Sequence, residues 1–195
     1  MCGRYFLNIA LDELENRYGI TDIPAEIKEH QGEIFPSNQA PVVFNENKQK
    51  SVGLMNWGFR PSYSNNLVIN ARSETVHKKN LFKESFHRRR CIIPASGFYE
   101  WEKVEDKKIK HFINIQEDEI ISLAGIYDFF NINGKQQMAF CILTKDAPQE
   151  LINIHDRIPV IIKKEYENEW LENKFTPGIF EYLQPKGFNF QAEAL

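Results

Sequence analysis

Ile120-Ile-Ser-Leu-Ala-Gly-Ile-Tyr-Asp-Phe-Phe130, then Asn131-Ile-Asn-Gly134, then Gln137-Met-Ala-Phe-Cys-Ile-Leu143 read as two extended apolar runs joined by a tight turn. Asn133-Gly134 is the pair that a two-residue hairpin prefers, because both positions must accept positive φ. Outward from this hairpin, the runs at 41–44, 51–58, 91–101 and 109–115 are rich in Ile, Val, Phe and Tyr and are bounded by Asn, Gly or charged turns, as strands are. His111 to Ile115 and Met138 to Leu143 are the clearest of them. Helical spacing is confined to short stretches: 10–18, ended by Gly19; 73–86; 148–154 after Pro148; and 163–172, with Trp170 on the apolar side. Strands outnumber helices and follow one another along the chain. This predicts an α+β fold with a mainly antiparallel, barrel-like sheet core and short flanking helices. With no repeat, low-complexity tract or long linker, residues 1–195 are expected to form one domain, with 163–195 as its helical C-terminal part.

The composition bounds the function. The chain is long enough for a sizeable core, and its 42% hydrophobic content is that of a globular domain. No apolar run approaches the ~18–20 residues of a membrane span, and Asp12, Glu13 and Glu15 stand where a signal peptide needs an apolar stretch. A cytoplasmic monomer with no membrane partner is the expectation. Cys2, Cys91 and Cys141 lie far apart without C-x-x-C spacing, which argues against a disulfide scaffold or a zinc site. Cys91 and Cys141 sit in apolar runs and read as core. The net charge is −3, yet between Arg60 and Arg90 eight Lys or Arg face only Glu74 and Glu84. A basic stretch on an acidic body suits a polyanion, although Arg88-Arg89-Arg90 alone reads equally as a solvated face.

Cys2, next to the initiator methionine, is the residue with the most chemistry. Methionine aminopeptidase removes Met before small residues, which would leave an α-amine and a thiol on one residue. The amine, with a reference pKa of ~7.7–8.0, is partly neutral at pH 7 and can condense with an aldehyde, after which the thiol closes a five-membered thiazolidine. The competing reading is a small buried hydrophobe in a first strand. Glu100 ends an apolar strand between Tyr99 and Trp101, where a carboxyl with a raised pKa would be a general acid or base; most strand-end glutamates are only solvated. His155 is a structural histidine or, beside a thiol, a proton donor. Asn70 is a helix N-cap or an amide that orients the Cys2 amine or an oxyanion. The helix start with Arg72, Ser73 and Thr75 suits a phosphate. Trp57 and Trp101 are core residues or, if exposed, base-stacking rings.

Seven pieces run in one order along the chain: Met1-Cys-Gly-Arg-Tyr5; Phe35-Pro-Ser-Asn38; Trp57-Gly58 with Pro61; Asn70-Ala-Arg-Ser-Glu-Thr75; Arg90-Cys-Ile-Ile-Pro-Ala-Ser-Gly-Phe-Tyr-Glu-Trp101; Leu143-Thr144 with Ala147; and His155-Asp-Arg-Ile-Pro159. In this order the chain resembles the SOS-response-associated peptidase domain, whose members act as abasic-site shields that link covalently to damaged single-stranded DNA. The match reaches about residue 162. The resemblance implies Cys2 as covalent nucleophile, Asn70 as the group positioning its amine or the opened sugar, Glu100 as acid/base, and His155 as an aid to ring opening or a phosphate contact. It implies phosphate contacts from Arg4, Arg72, Ser73, Thr75 and Arg157. Pro36, Ser37, Trp57 and Trp101 would shape the strand's path. Ile158 departs from a usual methionine, and Arg60 and Tyr63 from an apolar residue and a tryptophan. The implied partner is single-stranded DNA with an abasic site, and the chemistry calls for no metal or organic cofactor. The peptidase label fits removal of Met1 by the protein itself, or a thiol peptidase acting on other chains. An N-terminal-nucleophile glutamine amidotransferase and a non-catalytic single-strand binding module are the rival readings.

Overall fold

The computed structural model describes residues 2–116, 118–174, 180 and 187–192. In chain order the elements are β1 (Tyr5–Leu7), α1 (Leu11–Tyr18), β2 (Gly32–Ile34), β3 (Gln39–Glu46), β4 (Gln49–Trp57), β5 (Asn70–Arg72), α2 (Lys83–Arg88), β6 (Arg90–Ala95) and β7 (Gly97–Val104). They continue with β8 (Lys107–Ile115), β9 (Ile121–Ile132), β10 (Lys135–Asp146), β11 (Arg157–Pro159), β12 (Ile161–Ile162), α3 (Glu167–Leu171) and β13 (Phe188–Ala192). The hairpin expected around Asn133-Gly134 forms. β9 and β10 pair from Ile132↔Lys135 inward, with Asn133 at φ 53° and Gly134 at φ 78°.

Pairing closes five of these strands into a ring. β10 lies between β9 and β4, β4 pairs with β3, β3 with β6, and β6 returns to β9. β5 and β11 add to β10, and β12 adds to β9. Only β10–β4 and β10–β5 are parallel among the described pairings. Closure brings backbones close at Gly125, which stands opposite both Cys91 and Ile142. A Cβ there would lie 2.3 Å from Ile93 Cδ1 and 3.0 Å from Cys91 Sγ, so a side chain at this position would force buried Ile93 to move. The second sheet, β13-β8-β7-β1-β2, is antiparallel throughout. The two sheets share one apolar run: 91–101 breaks at Ser96, whose N–H donates to Phe6 O at 2.7 Å, so β6 stays in the barrel while β7 crosses to the second sheet.

Helix α1 matches its expected span, with Gly19 as a left-handed C-cap at φ 66°. The stretch 73–86 does not form one helix. It is a series of turns followed by α2, because Ser73 N–H donates to Thr144 O and holds the start of the segment on the sheet. The stretch 148–154 is likewise turns. Ala147 N–H donates to Asp156 O and closes the loop before a helix can propagate. The C-terminal part is not wholly helical either: α3 is short, and β13 covers the edge that β8 would otherwise expose. Residues 175–179, 181–186 and 193–195 of that part lie outside the described residues. The three consecutive arginines do not form a solvated face. Arg88 is exposed, Arg89 pairs with Asp128 at 3.0 Å, and Arg90 is buried against the rings of Phe86 and Trp170. Cys91 and Cys141 are free thiols in the core, as expected.

Candidate active site

Three segments distant in sequence converge on Cys2. The residue is fully buried just before β1, and its thiol points to Arg4 O at 3.7 Å. Asn70 begins β5, held opposite Ile142 of β10, and its Nδ2 donates to Cys2 O at 2.8 Å. It is therefore a strand residue whose amide fixes the chain start, and not a helix cap. Glu100 projects from the inward face of β7 and is 2% exposed; burial raises its pKa to about 7. Burial, followed by the nearby Glu100 carboxylate, pushes the Cys2 thiol far above its ordinary range. His155, in the loop before β11, brings Nε2 to 3.9 Å from Glu100 Oε2.

The other nitrogen of His155 has two close polar neighbours. Nδ1 accepts the Arg157 backbone N–H at 2.9 Å, so in the neutral ring the proton sits on Nε2, on the Glu100 side. The same Nδ1 lies 2.8 Å from Asp156 Oδ1, which accepts a hydrogen bond from the ring whenever Nδ1 is protonated. Burial lowers the pKa of His155 and favours the neutral ring. The site thus holds an unionised thiol, a neutral imidazole and a carboxyl that exchanges its proton near neutrality. Such an arrangement favours attack by an amine over attack by a thiolate, and it can deliver and remove protons where water is scarce. Asp156 was not singled out in the sequence, although its adjacency to His155 was the available signal.

The expected DNA contacts are placed less uniformly. Arg4 stacks its guanidinium on Phe35 at 4.2 Å and Trp101 at 5.1 Å, and donates to Glu33 at 3.1 Å. Trp101 is half-buried and Arg72 is exposed at the end of β5. Pro36 and Ser37 form the turn between β2 and β3; Ser37 is exposed at φ 71°, and its N–H donates to Trp57 O at 2.8 Å. Trp57 itself is fully buried. Its Nε1 donates to Ile69 O at 3.0 Å and its ring stacks 6.1 Å from Phe140, so it is a core residue and cannot stack on a base. Ser73 is buried, and no helix begins at 71–75, so the expected helix-start phosphate site is not formed; Thr75 lies in the turn that follows. Arg157 is committed to protein acceptors: both terminal nitrogens bond Glu74 at 2.9 Å, and further bonds reach Asp146 and Thr144 O. Among the described residues no group of three or more His, Cys, Asp or Glu is placed to hold a metal ion.

Comparison with known proteins follows the same outline. Residues 1–191 match the SOS response associated peptidase (SRAP) family. The abasic site processing protein YoqW of Bacillus subtilis is 33% identical over 192 residues, covering 94% of this chain and 85% of that one. The abasic site processing protein YedK of Escherichia coli is 27% identical, covering 90% and 82%. A crystal structure of a Bacteroides thetaiotaomicron protein superposes with a TM-score of 0.84 at 24% identity, over 98% of this chain and 91% of that one, which supports the fold. The barrel, the second sheet and the sequence match agree, and the chain belongs to the SOS response associated peptidase family.

Proposed function

We propose that this protein processes abasic sites in single-stranded DNA, forming a covalent thiazolidine link through Cys2. The observation that carries this reading is the meeting of Cys2, Asn70, Glu100 and His155 from four parts of the chain in one buried place. The naming of relatives as abasic site processing proteins supports it. The reaction begins after loss of Met1, which frees the Cys2 amine. The amine nitrogen attacks C1′ of the ring-opened sugar aldehyde, and the carbonyl π pair moves to oxygen. A proton passes from nitrogen to that oxygen; Glu100 then protonates the resulting hydroxyl, which leaves as water, and takes back the remaining nitrogen proton as the neutral imine forms. The thiol then adds across C=N: sulfur bonds to carbon, and its proton ends on nitrogen. One water is lost and no electron changes hands.

In this mechanism Asn70 holds the Cys2 backbone, so the amine meets the aldehyde in a restricted range of angles. His155 relays the proton to and from Glu100. A buried, unionised thiol is a poor first nucleophile, and it becomes effective only when the imine has placed carbon beside it. The test is denaturing electrophoresis of the chain beginning at Cys2 after mixing with single-stranded DNA carrying one abasic site. A retarded band is expected with that DNA and none with undamaged DNA. Absence of the band, or an equal band from the undamaged strand, overturns the reading.

A further inference from the structure

The outward face of the second sheet carries more positive charge and more aromatic surface than this chemistry uses. Directly opposed residues of an antiparallel pair share a face, as do residues two apart on a strand. The registers Tyr99↔Phe112, Trp101↔Lys110 and Lys103↔Lys108 therefore set these six side chains on one surface, opposite to Glu100. Contacts agree with the register. Lys110 Nζ stands 3.8 Å over the Tyr99 ring, Tyr99 packs 5.1 Å from Phe112, and Arg4 lies over Trp101. Lys103 and Lys108 are exposed, while Trp101 and Phe112 are half-buried. Glu33 is hydrogen-bonded into the group, 3.1 Å from Arg4 and 3.0 Å from Lys110.

We propose that this face is a track for single-stranded DNA running on from the abasic nucleotide, with Lys103, Lys108 and Lys110 at phosphates and Trp101 and Phe112 under bases. It rests on the function proposed above for where the track begins, since Arg4 joins the face to Cys2. Charge complementarity selects a polyanion, and rings lying between the cations select one with unpaired bases to stack. A duplex hides its base faces, and an acidic protein segment has no use for flat rings between its cation partners. Side chains two apart on a strand are separated by about 6.8 Å, a separation comparable to that of neighbouring phosphates along an extended strand. Glu33 holds Arg4 and Lys110 where an arriving phosphate would, and so keeps both cations oriented in the free protein.

The test measures non-covalent binding of labelled oligonucleotides to the Cys2→Ala protein by fluorescence anisotropy across a salt series. Each phosphate contact on a single strand contributes about 0.7 to the slope of log affinity against log salt, so Lys103→Ala with Lys108→Ala should make the slope shallower by about 1.4 and weaken binding about 25-fold near 0.1 M salt. This is expected for a long undamaged single strand. Glu33→Gln should instead tighten binding, because two cations are released to phosphates. An unchanged slope and affinity in the double lysine variant overturns the track, and weaker binding by Glu33→Gln overturns the place given to Arg4 and Lys110 in it. Tighter binding of a duplex or of RNA of equal length overturns the assignment to single-stranded DNA. Crosslinking of the unsubstituted protein to a short abasic strand is read in parallel. A crosslink without the lysine effect sinks only the track, and the lysine effect without a crosslink sinks only the proposed chemistry.

Discussion

Glu100 and Trp101 are neighbours on β7, yet they belong to opposite environments. Glu100 faces inward beside Cys2 and His155, and burial raises its pKa to about 7. Trp101 faces outward with Lys103, under Arg4 and beside Lys110. A second glutamate sharpens the contrast. At Glu33 burial also pushes the pKa upward, but hydrogen bonds from Lys110 and Arg4 outweigh it and hold the carboxyl below its ordinary range. The two-residue period of a strand lets one short element present a titrating carboxyl on its dry face and charge and ring surface on its wet face. Each face keeps the property it needs because the sheet separates them.

The largest effect should come from the inner face. Cys2→Ala is expected to abolish the denaturation-resistant adduct, whereas Cys91→Ala and Cys141→Ala should retain it in whatever fraction folds, since both thiols sit in the core. A full-strength adduct from Cys2→Ala would show that the reactive group lies elsewhere.

Glu100→Gln keeps size and hydrogen bonding while removing the titrating proton, and should slow adduct formation ~10²–10⁴-fold with DNA affinity nearly intact. The wild-type rate should fall above about pH 7, as Glu100 loses the proton it donates, and that limb should vanish in the variant. Stability gives a second reading. A carboxyl whose folded pKa lies above its unfolded value costs stability as pH rises from about 4.5 to about 7, so Glu100→Gln should gain about 3 kcal/mol on wild type between pH 4 and pH 9. Parallel melting curves across that range would mean that Glu100 ionises as freely as a solvated residue.

The two tryptophans should separate cleanly. Trp57→Ala removes a fully buried ring and is expected to cost ~3–5 kcal/mol of folding stability, measured by urea denaturation. Trp101→Ala should leave the melting transition nearly in place and weaken non-covalent DNA binding by ~1–3 kcal/mol. Loss of binding from a fully folded Trp57→Ala protein would break the division between a core Trp57 and a surface Trp101. The smallest effect should come from Arg157→Ala. Its partners Glu74 and Asp146 are half-exposed or exposed, so the ion pairs are worth ~1 kcal/mol or less, and the salt slope of binding should stay the same. A slope shallower by about 0.7 would show that Arg157 leaves its carboxylates to hold a phosphate.

Much of this organisation was legible in the chain. Long strands and their turns announce themselves locally: Asn133-Gly134 supplies the two positive φ angles of its hairpin, and Gly19 supplies the left-handed cap of α1. The chemistry proposed for Cys2 was legible as well, because the proposal follows from a second-position cysteine irrespective of fold. Strands of three residues were not legible. β1, β2 and β5 are too short to show a period, and their partners are remote, as in Tyr5↔Ile34, Tyr5↔Phe98 and Asn70↔Ile142. The same remoteness hid the fates of particular side chains. Trp57, between Asn56 and Gly58, and Trp101, between Glu100 and Glu102, both lie near the end of an extended run, but one closes the core against Phe140 and the other stands outside β7. Arg157 reads as a phosphate ligand until Glu74 and Asp146 are brought to it.

The sequence by itself thus determined the strand-rich α+β class, the hairpin, the core cysteines and the position of the candidate nucleophile, because these follow from local turn chemistry, periodicity and residue type. Only the tertiary structure decided that Asn70 clasps Cys2, that His155 turns Nε2 toward Glu100, and which face of β7 meets solvent. Those depend on barrel closure and on registers between distant strands, where a shift of one residue would exchange the faces and carry Glu100 out into water.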